Sequence, residues 1–184
     1  MGKTLLFWFL LFNYTFFSTQ VLAENGTWLL IDTNKLKLEV KKGDKTIATM
    51  ENIAIGRNGA GSKQRLGDDG TPLGSYKIGW VNDKSSYRRF YGLTYPSVEN
   101  ADEALLDGLL SRNTHRKIIN AHKSNKNPPQ TTALGGRIGI HGLGAADENV
   151  HRMMNWTHGC IALTNKQIDQ LQKWITIGML VKIK

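Results

Sequence analysis

The feature that most restricts the fold of this chain is a series of short strand-like runs, separated by turn residues, in its first half. Residues 36–40 alternate apolar and polar side chains, which is the period of a strand with one buried face. Similar runs occupy residues 28–31, 46–50 and 75–78. Gly43 lies in the turn between residues 36–40 and 46–50. Short strands joined by such turns predict a mostly β fold built from hairpins.

A different pattern interrupts the strands over residues 82–137 and predicts a partly helical insertion. Asn100 is the predicted N-cap of one short helix, and residues 114–122 are predicted to form another. A long excursion of this kind between strands is typical of a lid over a site. After it, Thr164 is the predicted start of a C-terminal helix, and residues 179–183 are predicted to close the chain as a strand.

Residues 1–23 have the pattern of a cleaved secretory signal. Lys3 gives a positive start, residues 5–12 form a short apolar run, and residues 21–23 end in the small side chain that a signal peptidase recognises. The apolar run is far shorter than the roughly 20 residues of a membrane span, so we expect no stable span. The alternative is an uncleaved anchor. The sequence therefore predicts that residues 24–184 form a single periplasmic domain.

The chain carries a formal net charge of +9. An excess of Lys and Arg attracts polyanions to a protein surface but does not determine a fold. The basic residues are scattered and are not interleaved with aromatic residues as in a nucleic-acid reader, so we expect no nucleic-acid partner. For an exported protein, an anionic wall polymer or a membrane surface is the better match to this charge.

Cys160 is the only cysteine of the chain, so an internal disulfide is impossible. It is either an inert buried residue or a reactive thiol. Two histidines favour a thiol nucleophile, because an imidazole can take the proton of a thiol whose ordinary pKa is about 8.5. His158 would lie beside the sulfur if residues 158–160 formed a strand, since side chains alternate. His141 ends another strand-like run and can approach across the sheet, so both histidines are candidate bases.

Gly159, between the second histidine and the cysteine, is the next candidate. A residue without a side chain allows neighbouring backbone N–H groups to point at a developing oxyanion. The sequence therefore predicts an oxyanion site formed by backbone N–H groups near the cysteine.

Two segments of the chain together resemble the signature of the L,D-transpeptidase catalytic domain family, also called YkuD. They are residues 140–142, which read Ile-His-Gly, and residues 157–161, which read Thr-His-Gly-Cys-Ile. Residues 65–78 also resemble the Thr-Pro-x-Gly-x-Tyr element of such enzymes, and the likeness covers about residues 27–184. The resemblance implies a sandwich-like or barrel-like β fold with the reactive thiol under a lid, and it implies neither a metal nor an organic cofactor.

The resemblance also implies a role for each matching residue. Cys160 matches the nucleophile, and His141 matches the general base that later acts as the acid. The Gly142 carbonyl matches the group that orients the imidazole, His158 a supporting group beside the sulfur, and Gly159 an oxyanion donor. The resemblance therefore favours His141 over His158 as the base.

The chain departs from the family pattern at Ala162, where many members carry an arginine two residues after the cysteine. If that arginine holds a substrate carboxylate, another cation must replace it here. Arg137 and Arg152 are the candidates because they lie close to the motif in the sequence. Trp156 is a candidate for the floor of a substrate groove.

The resemblance implies that the substrates are peptidoglycan stem peptides. The thiol attacks the bond between a diamino acid at the third position and D-alanine, and the resulting thioester is transferred to an amine. The amine belongs to a neighbouring stem, giving a 3→3 cross-link, or to a lipoprotein lysine. With water as the acceptor, the protein would be an L,D-carboxypeptidase.

Two further alternatives remain open from the residues alone. One is a zinc-dependent wall peptidase that uses His141, Asp147, His158 and Cys160 as ligands. The other is a non-catalytic wall-binding domain that keeps the fold without turnover.

Overall fold

The computed structural model describes residues 26–63 and 65–184, so the predicted signal at residues 1–23 lies outside the described residues. Ten strands, four α-helices and one 3₁₀ helix are present in this part of the chain. The strands are β1 Thr27–Asp32, β2 Lys37–Lys42, β3 Lys45–Glu51, β4 Ala60–Gly61, β5 Thr71–Pro72, β6 Gly74–Asn82, β7 Phe90–Leu93, β8 Gly139–His141, β9 Ile161–Ala162 and β10 Leu180–Ile183. The helices are α1 Val98–Leu106, α2 Arg112–Lys123, α3 Glu148–Met153, α4 Asn165–Leu171 and the 3₁₀ turn Gln172–Trp174.

Eight of the strands form one sheet in the order β3-β2-β1-β10-β6-β7-β8-β9, and β4 pairs with β5 separately. The pairs β1–β10 and β8–β9 are parallel, and the other pairs of the large sheet are antiparallel. In β2, Leu38 and Val40 are fully buried, while the alternating residues Lys37 and Glu39 are only partly buried. The predicted mostly β fold is therefore confirmed.

The predicted helices of the insertion form, but the first begins earlier than predicted. Ser97, not Asn100, is the N-cap of α1: its hydroxyl accepts from the Asn100 N–H at 3.2 Å, and the Asn100 side chain accepts from the Ser97 N–H at 3.1 Å. Asparagine suits either position of such a box, which explains the error. Helix α1 ends before Gly108, where φ is +72°, and α2 contains the second predicted helix.

At the C-terminal end, Thr164 caps α4 as predicted and forms a capping box with Gln167. Ile168 and Leu171 are fully buried, so one face of this helix packs on the core. The sequence did not predict α3. Its Asp147 N-cap follows a run of small residues, and a helix this short carries too little apolar periodicity to be recognised.

The insertion at residues 82–137 contributes to the neighbourhood of Cys160 only through its ends. Ala101 of α1 and Ile118 of α2 belong to the main hydrophobic core. The cleft that contains Cys160 is lined by residues before α1 and after α2, and by none from the two helices. A lid motion of the insertion stays a prediction. No helix within the described residues is both long and apolar enough to cross a membrane.

Candidate active site

An open cleft of about 890 Å³ contains both Cys160 and His141 in its wall. Strand β8 ends at His141, and β9 begins directly after Cys160. The two strands are parallel, with Ile140 opposite Ile161, so the sheet brings these distant segments side by side. The other lining residues are Trp80, Asn82, Lys84, Ser85, Ser86, Tyr87, Phe90, Gln130, Arg137, Trp156, Thr157 and His158.

His141 is almost fully buried, with 3% of its surface exposed. Its Nδ1 lies 2.7 Å from the Gly142 carbonyl, and because a carbonyl only accepts, the proton is on Nδ1 and Nε2 is the free acceptor. Aromatic rings surround the imidazole: Tyr87 at 4.4 Å, Phe90 at 6.2 Å and Trp156, edge-on, at 6.0 Å between centroids. Burial lowers the pKa of His141, and the Gly142 hydrogen bond opposes that shift only in part. The ring is therefore a neutral, oriented base.

The Cys160 thiol is half-buried in the cleft wall, and its Sγ donates to the Arg137 carbonyl at 3.5 Å. Desolvation raises the pKa of this thiol to about 11, although a backbone hydrogen bond from Gly139 and the charge of Lys63 act in the opposite direction. At neutral pH the thiol therefore keeps its proton. A reaction at this sulfur requires a base at the moment of attack.

This desolvation predicts how Cys160 reacts with an alkylating agent. An ordinary thiol approaches its limiting alkylation rate above about pH 9, where it is mostly thiolate. Because the pKa of Cys160 is raised to about 11, we expect its alkylation rate with iodoacetamide to keep rising beyond that pH. Mass spectrometry of the modified protein over a pH series, with free cysteine as the control, measures both curves. A plateau for Cys160 below about pH 8 would contradict the neutral thiol.

The strand argument that placed His158 beside the sulfur is wrong. Strand β9 begins only at Ile161, and Gly159 has a φ of +118°, so residues 158 and 160 do not alternate along a strand. The His158 side chain is 77% exposed, and its Nδ1 lies 2.6 Å from an oxygen of Asp69. Arg57 completes this group, with its Nε 3.2 Å from the other oxygen of Asp69. His158 is therefore held at the rim by a carboxylate.

Gly159 has a structural role that the sequence did not reveal. A Cβ here would lie 2.6 Å from the carbonyl oxygen of Gly70, and the positive φ also favours glycine. Its N–H donates to the Thr157 hydroxyl at 3.1 Å, and its carbonyl accepts from Thr71 at 3.0 Å. The predicted oxyanion role of the Gly159 N–H is not supported by this conformation, because that N–H already has an acceptor in its own turn.

The structure separates the three predicted substrate-binding residues. Arg137 is exposed and lines the cleft, and its backbone carbonyl accepts from the thiol. The half-buried Trp156 also lines the cleft. Arg152 lies on α3, pairs with Glu148 at 3.3 Å and lines a different pocket, so its assignment to the site is wrong. Proximity along the chain placed it near the motif, but α3 carries it away from the cleft. Ala162 is fully buried in β9.

Sequence reasoning missed the aromatic walls of the cleft and the carboxylate that holds His158. Tyr87 and Phe90 lie in a stretch without clear periodicity, and no local signal relates them to His141. Asp69 lies within residues 65–78, where the resemblance to the Thr-Pro-x-Gly-x-Tyr element gave it no role. The one available signal for a role of Asp69 was the pair of adjacent carboxylates, Asp68 and Asp69, in the loop just before the Thr-Pro element.

The four residues considered as zinc ligands do not form a metal-binding group, although three of them line the same cleft. The described residues contain no group of three or more His, Cys, Asp or Glu side chains that could hold a metal ion. His141 bonds the Gly142 carbonyl through Nδ1, His158 pairs with Asp69, and Asp147 caps α3.

Comparison with known proteins identifies the class that this fold and site define. Residues 26–183 match the YkuD family, the L,D-transpeptidase catalytic domain. The chain belongs to this family.

Several solved structures have a fold similar to that of this chain. The chain is similar to the helical cell shape determining protein Pgp2 from Campylobacter jejuni (22% identity, TM-score 0.57, 88% of this chain and 48% of that chain). It is also similar to Bd1075 from Bdellovibrio bacteriovorus (18%, TM-score 0.54, 88% and 49%) and to a mutant L,D-transpeptidase from Enterococcus faecium (11%, TM-score 0.51, 87% and 50%). The chain thus spans about half the length of these proteins, and identities this low establish the fold alone. A comparison with curated sequences found no match.

Proposed function

We propose that this chain is an exported cysteine L,D-transpeptidase that acts on peptidoglycan stem peptides, with residues 1–23 as its signal and residues 24–184 as one periplasmic catalytic domain. Family membership supports the class of reaction. One observation carries the proposal. The only cysteine of the chain shares a cleft with a buried histidine whose Nδ1 is occupied by the Gly142 carbonyl, which leaves Nε2 as the base.

In the first step, Cys160 attacks the carbonyl that joins the diamino acid to D-alanine. His141 takes the thiol proton on Nε2 as the C–S bond forms, because the desolvated thiol does not ionise unaided. The C–N bond then breaks, and His141 returns the proton to the departing amine of D-alanine. The Gly142 carbonyl accepts from the imidazole throughout and stabilises its transient positive charge. The product on the enzyme is a thioester.

Two features of the cleft support binding of a stem peptide. Arg137 is an exposed cation that lines the cleft, so it is our choice for the substrate carboxylate that Ala162 cannot hold. Trp156 and Tyr87 provide apolar walls for the aliphatic part of the peptide. The ends of the insertion at residues 82–137 also line the cleft, and closure there would favour an amine over water.

In the second step, an amine acceptor resolves the thioester. A side-chain amine of a neighbouring stem gives a 3→3 cross-link, and a lysine of a lipoprotein gives attachment of that lipoprotein to the wall. Water gives trimming, the L,D-carboxypeptidase outcome. Thiol, imidazole and backbone groups carry these steps in the proposal, without a cofactor.

The product spectrum tests this function. We expect the mature protein, incubated with purified disaccharide tetrapeptide, to consume it and to release D-alanine, with a cross-linked dimer as the main product by mass spectrometry. A tripeptide alone would identify the hydrolase. Prior alkylation of the protein should stop the reaction, whereas a chelator should not, and the reverse pattern would favour the zinc peptidase. No consumption of tetrapeptide would contradict the proposed class of substrate.

A further inference from the structure

Cys160 is reached by a second, smaller cleft of about 310 Å³. Arg137, His158 and Cys160 line both clefts, so the thiol lies where the two meet. The two clefts differ in their histidines. His141 lines only the larger cleft, whereas the smaller one presents His158 together with its carboxylate partner Asp69. A molecule that enters the smaller cleft therefore meets His158 but not His141, whereas one in the larger cleft meets both imidazoles.

His158 has the hydrogen bonding of a working base. An ionised carboxylate only accepts, so the 2.6 Å contact between Nδ1 and Asp69 puts the proton on Nδ1 and leaves the lone pair of Nε2 free to accept. The carboxylate also stabilises the imidazolium that forms when Nε2 takes a proton. With 77% of its side chain exposed, His158 can pass that proton to solvent.

Arg57 does not block this nitrogen. Its Nη2 lies 3.3 Å from Nδ1 and 3.2 Å from Nε2 of His158. Nη2 is thus almost equally distant from the two ring nitrogens. At this short range it lies over the face of the ring, because an atom in the ring plane at these distances would clash with the ring carbon between the nitrogens. The lone pair of Nε2 lies in the ring plane and so remains available.

We propose that His158, held by Asp69, is the general base for the acceptor amine, so that thioester formation and thioester aminolysis use different histidines. The inference rests on the proposed function, since it requires a thioester on Cys160. The donor stem occupies the larger cleft beside His141, and the acceptor amine enters through the smaller cleft. His141 is buried and absent from that lining, whereas His158 is exposed within it.

The acceptor amine arrives as an ammonium and must lose two protons. Nε2 of His158 takes the first and passes it to solvent, which frees the lone pair of the nitrogen. The nitrogen then attacks the thioester carbonyl, the C–N bond forms, and the C–S bond breaks with its electron pair on Sγ of Cys160. The second proton leaves the nitrogen through Nε2 of His158, and Sγ regains one proton from solvent, which restores the neutral thiol.

The experiment compares two kinds of acceptor on a preformed thioester in the wild-type protein and in His158→Gln. One acceptor is a lysine-type amine, which is protonated near neutral pH and needs a base. The other is hydroxylamine, which is largely unprotonated there and does not. We expect thioester formation within about twofold of wild type and unchanged transfer to hydroxylamine. In His158→Gln, transfer to the lysine-type amine should fall by about 100-fold or more. Asp69→Asn should also slow transfer to the lysine-type amine.

The chain provides a matched control. His115 contacts Asp102 at the same 2.6 Å distance but lines neither cleft, so His115→Gln should change none of the rates. Equal slowing with both acceptors would overturn the inference, because it would show that His158 only positions the cysteine segment. Normal transfer to the lysine-type amine in His158→Gln would overturn it as well. Failure of the wild-type protein to form a thioester would instead contradict the proposed function itself.

Discussion

Cys160→Ser should reduce release of D-alanine from a stem tetrapeptide by about 10³-fold or more while leaving the fold intact. A serine hydroxyl is a far weaker acid and nucleophile than a thiol, and His141 alone cannot compensate for that difference. The folded state should tolerate the change, because the side chain is only half-buried and a hydroxyl can donate to the Arg137 carbonyl as the thiol does. Intact-mass spectrometry of the acyl adduct and a D-alanine assay measure the loss.

A thermal unfolding curve provides the control for that variant. The midpoints of thermal unfolding of wild type and Cys160→Ser should agree within a few degrees. The exchange of sulfur for oxygen in a half-buried side chain changes the free energy of unfolding little. Retained release of D-alanine by well-folded Cys160→Ser would refute the assignment of the nucleophile.

The second large effect concerns His141. Its replacement should slow thioester formation by several hundredfold, within the 10²–10⁴ range of a positioned acid–base group. His141→Ala leaves a cavity at a buried position, so His141→Gln, which keeps most of the volume, is the safer variant. Single-turnover formation of the adduct on Cys160 gives the rate without interference from the later steps.

The pH dependence separates a base from a merely structural residue at this position. Burial lowers the pKa of His141, so the ring stays neutral as the pH falls through the ordinary histidine value of about 6.5. The acid limb of kcat/KM in the wild type should therefore lie below that pH, and His141→Gln should lack this limb. A greater loss of thioester formation in His158→Gln than in His141→Gln would reverse our division of roles.

Much of the fold could be predicted because its signals are local. The alternation in β2 reflects the burial of Leu38 and Val40, and the capping box at Thr164 starts α4 as predicted. The start of α1 was mispredicted because Ser97 and Asn100 are both suitable capping residues. The backbone conformation shows that Ser97 is the N-cap and that Asn100 completes the capping box from the third helical position. The short helix α3 carried too few periodic residues to be predicted.

The candidate site was predictable where a motif names the residue and not where a distant contact defines its role. Cys160 and His141, which the motif names, line one cleft, and the Gly142 carbonyl accepts from Nδ1 of His141. The motif did not reveal that the Gly159 N–H is already bonded or that Arg152 lies elsewhere. Both facts depend on how segments pack, which local spacing does not describe.

The sequence by itself determined the strand pattern, the family motif and the presence of a lone cysteine next to histidines, because each is a property of neighbouring residues. Only the tertiary structure decided which partner each histidine has. His141 is buried among aromatic rings, whereas His158 meets Asp69, which lies 89 positions away in the chain. Hydrogen bonds and desolvation depend on distances in space, and these change the acidity of a side chain without changing its letter in the sequence.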